Sequence, residues 1–295
     1  MDFALLKAVS RSFYLSMVWL PPTMRRGIAL GYMLARATDS VADTSTAEAA
    51  RRVDVLRQMG RAIAGELSTD EVQSLLCLLR GEMADAQSKD SEAILLRRFD
   101  ECLEQLGQVS PQERGLLRRV LSIIVEGQLW DLTYFAEHCQ VESEEDTRRY
   151  TYMVTGCVGE FWTDLGLATM GAAFCETSRR GVMAKAGCRY GQGLQLVNIL
   201  RDCEEDAARG RSYLCGAPEL WMSRAERYLN DGLDYARRLG CFRLRFTAML
   251  PALLGLKTLR LIAQRAGNER VKITRGAVYA SLLNAAWLSA WRRAS

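Results

Sequence analysis

Apolar residues recur every three to four positions along nearly the whole chain, and no run alternates apolar with polar residues for long enough to make a sheet. The pattern predicts an all-α protein. Helices are expected near residues 2–9, 23–42, 46–65, 70–86, 91–107, 111–137, 144–174, 177–208, 223–239, 243–265 and 272–292. Punctuation agrees with the period. "PPTM" places a proline stop before the second helix, Ser110 reads as an N-cap with Pro111 in the first helical position, and "SEED" from Ser143 resembles a capping box. Two of these helices, around "IALGYMLARATDSVA" and "GQGLQLVNILRD", are apolar around most of their circumference, as expected for the centre of a large bundle. Such helices should avoid charge, so the charges they carry are the informative ones.

At about 100° per residue, Gln195, Asn198, Asp202 and Asp206 fall within an arc of roughly 80°. Arg36, Asp39 and Asp43 follow one another at steps of three and four and also share a face. Each helix thus offers a DxxxD pair. Carboxylates at that spacing repel by a few tenths of a kcal/mol even when exposed, and burying them unpaired costs far more. Either the pairs are solvated helix ends, or they face one another across a cavity and hold divalent cations. The ligand set of carboxylate and amide oxygens, with no His or Cys beside it, suits Mg²⁺ better than zinc. Mg²⁺ keeps several waters and is usually completed by phosphates, so a phosphate or diphosphate ligand is implied. Arg11, Arg36, Arg201, Arg209 and Arg211 are candidate cationic partners for it, although a surface ion pair is the commoner role for any one arginine.

A third stretch, "YTYMVTGCVGEFW", sets Gly156 and Gly159 in a helical pattern, where glycine usually signals close packing or room for a ligand. Tyr150 and Tyr152 in it are either core residues or line a cavity. His138 is the only histidine, which leaves little for Ser-His-Asp or Cys-His catalysis, and neither GxGxxG after a strand nor GxxxxGK[ST] occurs.

Composition narrows the picture. In 295 residues there are five prolines and no linker-like tract, which favours one domain over 1–295. A net charge of +4, with arginines dispersed along helix faces, argues against nucleic acid. Nine cysteines without CxxC or Cys/His spacing read as reduced thiols in a cytoplasmic chain with no structural zinc. The first residues lack the pattern of a secretory signal. The least charged segment, Gly276 to Trp291, is too short for a bilayer span; it is expected as a buried last helix rather than a membrane-surface helix with Trp287, Trp291, Arg292 and Arg293 at the interface. Membrane contact, if made, is expected to be peripheral.

Three segments, "SRSFYLSMVWLPPTMRRGIALGYMLARATDSVAD", "YTYMVTGCVGEFW" and "GLQLVNILRDCEEDAARGRSYL", resemble the squalene and phytoene synthase family of head-to-head prenyltransferases, in wording closest to bacterial squalene synthases. The resemblance implies a terpene-synthase-like helical bundle around a central cavity, in which two farnesyl diphosphates condense to presqualene diphosphate. It implies Mg²⁺ held by Asp39, Asp43, Asn198, Asp202 and Asp206, diphosphate contacts from Ser10, Arg11, Ser12, Arg36, Arg201 and Arg211, and Tyr150 and Gln195 in the cavity. Reduction to squalene would take hydride from NADPH. The alternatives are members that stop at presqualene diphosphate, hydroxysqualene, dehydrosqualene or phytoene, and a helical scaffold without catalysis. Two departures, "LCG" after "GRSY" and "VTG" for "VAG", remove no expected ligand.

Overall fold

The computed structural model describes residues 2–10, 13–44, 46–264 and 271–290. Among them the only regular elements are helical, and the one extended pairing is an isolated bridge between Gln140 and Ser212. The residues gather into two compact units. The first comprises Met1–Val18 and Pro22–Tyr134, the second Trp19–Pro21 and Phe135–Ser295.

The first unit holds α1 (Phe3–Ser10), most of α2 (Phe13–Trp19), α3 (Pro22–Ala42), α4 (Ala49–Ala64), α5 (Thr69–Leu78), α6 (Asp90–Arg97), α7 (Phe99–Gln108) and nearly all of α8 (Pro111–Glu137). Helix α3 is its centre, packed against α1, α4, α6 and α7, with Leu30, Leu34, Leu56, Met59 and Phe99 fully buried. The expected helix over 91–107 is broken at Arg98, whose ψ of 23° leaves the helical range and whose guanidinium is held by Glu101 and Asp2. That over 70–86 is widened by a π turn at Leu79–Met83. Helix α2 was not expected. Ser110 caps α8 as its sequence suggests, its hydroxyl accepting from the Glu113 amide at 3.2 Å while Glu113 reaches back to the Ser110 amide.

The second unit is built around α11 (Arg180–Ala208), which packs on α9 (Glu144–Thr151), α10 (Cys157–Met170), α12 (Pro218–Arg237) and α13 (Phe242–Ala263). Helix α9 opens with the expected Ser143 capping box, closed by Asp146. A π turn, Tyr152–Gly156, joins it to α10. Helix α12 starts before the expected 223, because Pro218 supplies a preorganised first turn.

Helix α13 is by length and composition able to cross a membrane, with 22 residues and a mean hydropathy of 1.4, but half of that stretch is buried among α11, α12 and α14 (Arg275–Ala290). Helix α14 differs from the expected buried last helix. Its inner face is small, Ser281, Ala285 and Ser289, while Tyr279, Leu283 and Trp287 are 66%, 74% and 63% exposed. The small residues let it lie close on α13, and the large ones are left outside. Trp291, Arg292 and Arg293 lie outside the described residues.

Candidate active site

Both aspartate pairs occupy the C-terminal turns of central helices. In the first unit Asp39 closes the last turn of α3 and Asp43 follows its end, with the Asp43 amide donating to the Asp39 carbonyl at 2.9 Å. A helix C-terminus already carries partial negative charge, so carboxylates there are short of compensation. Arg36, one turn earlier, supplies part of it. Its Nη1 bonds Asp39 Oδ2 and its Nη2 bonds Glu92 Oε1 on α6, which also accepts from Lys89 Nζ at 2.8 Å. Arg36 Nε is buried without a hydrogen-bond partner among the described residues.

The electrostatics show how incomplete this compensation is. The surrounding protein and the like charge of Asp43 push the Asp39 carboxyl up to about 7, against the pull of Arg36. Burial works against the charge on Arg36, but Asp39 and Glu92 outweigh it and raise its pKa. Burial alone would raise Glu92; the hydrogen bonds from Lys89 and Arg36 hold it below the usual carboxylate range instead. Of these three groups, Asp39 is the one whose surroundings work against its charge on balance.

In the second unit Asp202 and Asp206 lie in the last turns of α11. Arg201 grips Asp202 with both arms, Nε to Oδ1 at 2.9 Å and Nη2 to Oδ2 at 2.6 Å. This pairing, despite partial burial, raises the Arg201 pKa. Beyond α11 the chain reverses through Gly210, whose φ of 75° a side chain would strain, and the Arg211 amide returns to the Asp206 carbonyl at 2.9 Å. The turn sets the Arg211 guanidinium 6.0 Å from the centre of the Phe135 ring. Ser212 then pairs with the chain after α8, its amide donating to the Cys139 carbonyl at 2.9 Å.

Tyr150 is buried and stacks on Tyr213, ring centres 4.6 Å apart at 16°, while the Thr147 hydroxyl donates to the Tyr213 carbonyl. Gln195 accepts from the Thr155 hydroxyl at 3.0 Å, and Asn198 is half-buried on the same face of α11. Gly156 and Gly159 are explained by packing. A Cβ on Gly159 would come within 1.9 Å of the Gly187 carbonyl oxygen, and one on Gly191 within 2.2 Å of that of Thr155, so the glycines let α10 and the π turn lie against α11. Tyr152 bonds Glu160 at 3.2 Å within this packing. Ser10 is buried and gives its hydroxyl to the Leu6 carbonyl. Arg11 and Ser12 lie outside the described residues. Glu92 and Tyr213 were not among the expected site residues; no spacing marks the first, and the second stood in plain view in "GRSY".

Among the described residues no three His, Cys, Asp or Glu side chains are gathered as a ready-made metal site. Oxygen-only pairs, a carboxyl raised by burial and by the like charge of Asp43, and a buried Arg36 Nε without a partner among the described residues fit a hard cation completed by water and phosphate oxygens. The residues therefore suit Mg²⁺ with an anionic ligand.

The chain is similar to several known proteins. The chain is 29% identical over 233 residues to a bifunctional lycopene cyclase/phytoene synthase of Pyrenophora tritici-repentis, covering 78% of this chain and 35% of that protein. It is 26% identical over 226 residues to a squalene synthase of Candida albicans, covering 76% and 46%. The chain thus spans about a third to a half of the length of these relatives. Among solved structures its fold matches TcSQS in complex with a ligand, with a TM-score of 0.73 and 19% identity over 96% of this chain and 84% of that one. It also matches a dehydrosqualene synthase, with a TM-score of 0.67 and 19% identity over 98% and 97%. The family model described as squalene/phytoene synthase matches residues 6–217, a stretch that holds both aspartate pairs and Tyr150, and the chain belongs to that family.

Proposed function

We propose that this chain is a Mg²⁺-dependent prenyltransferase that joins two farnesyl diphosphates head to head, giving presqualene diphosphate, and reduces it to squalene with NADPH. The observation that carries the proposal is the repeated arrangement of a DxxxD pair at a helix C-terminus whose first aspartate is held by a neighbouring arginine. Bound Mg²⁺ would offset the charge of a departing diphosphate. Asp39 and Asp43 would hold it on one motif, and Asn198, Asp202 and Asp206 on the other. Arg36, Arg201 and Arg211 would orient diphosphate oxygens, joined by Ser10, Arg11 and Ser12. Tyr150, its ring fixed by Tyr213, and Gln195 would sit beside the allylic carbon as it loses its diphosphate. On this reading the whole chain acts as one catalytic domain, in keeping with a family match that runs through both units.

A second reading omits the reduction and ends at presqualene diphosphate, hydroxysqualene, dehydrosqualene or phytoene. It is favoured by the phytoene synthase relative and the dehydrosqualene synthase neighbour. Mass spectrometry of phosphatase-treated extracts separates the two, after incubation with farnesyl diphosphate and Mg²⁺ with and without NADPH. Squalene that depends on NADPH supports the first; another C30 product made regardless of NADPH supports the second, and no condensation product with either defeats both.

Peripheral membrane contact belongs to the same proposal for a cytoplasmic enzyme that handles farnesyl chains. The exposed face of α14 carries Tyr279, Leu283 and Trp287. Lys272 precedes the helix in sequence, Arg275 opens it and Arg292 and Arg293 follow, with no acidic residue from 270 to 295. Such a face fits an anionic lipid surface. Sedimentation with vesicles containing anionic lipid should be lost in the double variant Leu283→Glu, Trp287→Glu. Equal sedimentation of the double variant would refute this contact.

A further inference from the structure

A cation bound by Asp39 would share the carboxylate charge that now holds Arg36 and so weaken that bond, and a second carboxylate also holds Arg36. Arg36 is bonded by Asp39 through one oxygen, Oδ2, and its other arm is held by Glu92. Glu92 comes from α6, 56 residues along the chain, and is only 7% exposed. A carboxylate so buried is costly unless paired, and a buried ion pair is weak evidence for stability in itself. Its two partners, Arg36 and Lys89, meet on the same oxygen, Oε1. The second motif is built otherwise: Arg201 spends Nε and Nη2 on Asp202.

We infer that Glu92 is a positioning residue: it retains Arg36 when Asp39 turns to Mg²⁺, so that the released Nη1 and the unpartnered Nε stay in place for an anionic oxygen. The inference rests on the Mg²⁺ and diphosphate reading of this site. Without Glu92, the only carboxylate bonded to Arg36 among the described residues would be Asp39, and Mg²⁺ would have to compete with the guanidinium for it. Lys89, 45% exposed on its side chain, steadies Glu92 from the solvent side.

The test compares wild type, Glu92→Gln, Glu92→Asp, Arg36→Gln and the Arg36→Gln, Glu92→Gln double variant. Two titrations are read: thermal stabilisation by Mg²⁺ with inorganic diphosphate, and the Mg²⁺ dependence of farnesyl diphosphate turnover. Glu92→Gln should raise the half-maximal Mg²⁺ concentration in both by about tenfold, with kcat at saturating Mg²⁺ changed by less than about threefold. Glu92→Asp keeps the charge but withdraws it from Arg36, so it should shift in the same direction, which a merely electrostatic role would not produce. In the Arg36→Gln background, adding Glu92→Gln should change the midpoint by less than about twofold, because residues acting through one another are not additive. An unchanged midpoint in Glu92→Gln, or the same shift with and without Arg36, overturns the inference. Should Glu92→Gln fail to fold, Glu92→Asp decides in its place. A wild type that neither responds to Mg²⁺ with diphosphate nor turns over farnesyl diphosphate overturns the site assignment itself.

Discussion

Asp39 sets folding against the proposed function in one side chain. Its carboxyl is raised to about 7 by its surroundings and by Asp43, whereas in the unfolded chain it titrates near 3.8. Between those values the unfolded state binds fewer protons than the folded one, so Asp39 lowers stability progressively as pH rises from about 4 to 7. With 39% of the side chain exposed, screening limits the penalty to about 1 kcal/mol. Asp39→Asn should therefore raise the melting temperature of the metal-free protein by about 2 °C at pH 7.5 and by less at pH 5. Turnover should fall by at least roughly 100-fold, as for loss of one preorganised electrostatic group. Calorimetry at the two pH values and a turnover assay check both. A stabilising substitution that spares activity would mean that Asp39 holds no cation. The candidate residues were legible one by one, since Arg36, Asp39 and Asp43 on one helix, and Asn198, Asp202 and Asp206 on another, stand at helical spacings. Glu92 was not, because an acidic residue on an amphipathic helix carries no mark of the partner that folding brings to it.

The helices themselves follow their sequence closely, and their departures have local causes. The α8 bounds, 111–137, coincide with expectation because its start is fixed by Ser110 and Pro111. Glycine inside a helix had two readings, and contact distances decide between them. Gly159→Ala would press a methyl group into the Gly187 carbonyl and should cost about 3 kcal/mol or more, read as a lower urea midpoint with unchanged slope. Gly115 in α8 faces open space, so Gly115→Ala should stabilise by about 0.5–1 kcal/mol through helix propensity alone. If the two substitutions had equal effects, the close approach of α10 and α11 would not be what the glycines serve.

At the scale of the whole molecule, a buried cation ties α14 to α13 alongside their packing. Arg245 on α13 is 6% exposed and donates to the Ser289 carbonyl of α14 at 2.8 Å and to the Leu239 carbonyl after α12 at 3.0 Å. Arg245→Leu leaves two carbonyls without this donor and should cost about 2–3 kcal/mol. Hydrogen exchange should show lost protection over 275–290 while α11 keeps its own. Uniform loss across α11 and α14 would mean that α14 is not a separately opening element.

The sequence by itself determined the all-α class, most helix positions and the family, because periodicity, capping and motif spacing are local properties written within a turn or two of each residue. Tertiary structure decided which charges meet and which faces stay outside. Glu92 reaches Arg36 across 56 residues, Tyr213 stacks on Tyr150, and α14 turns its small residues inward and its aromatic ones out. These are long-range choices, made by the shape of the packed helices, and no local pattern encodes them.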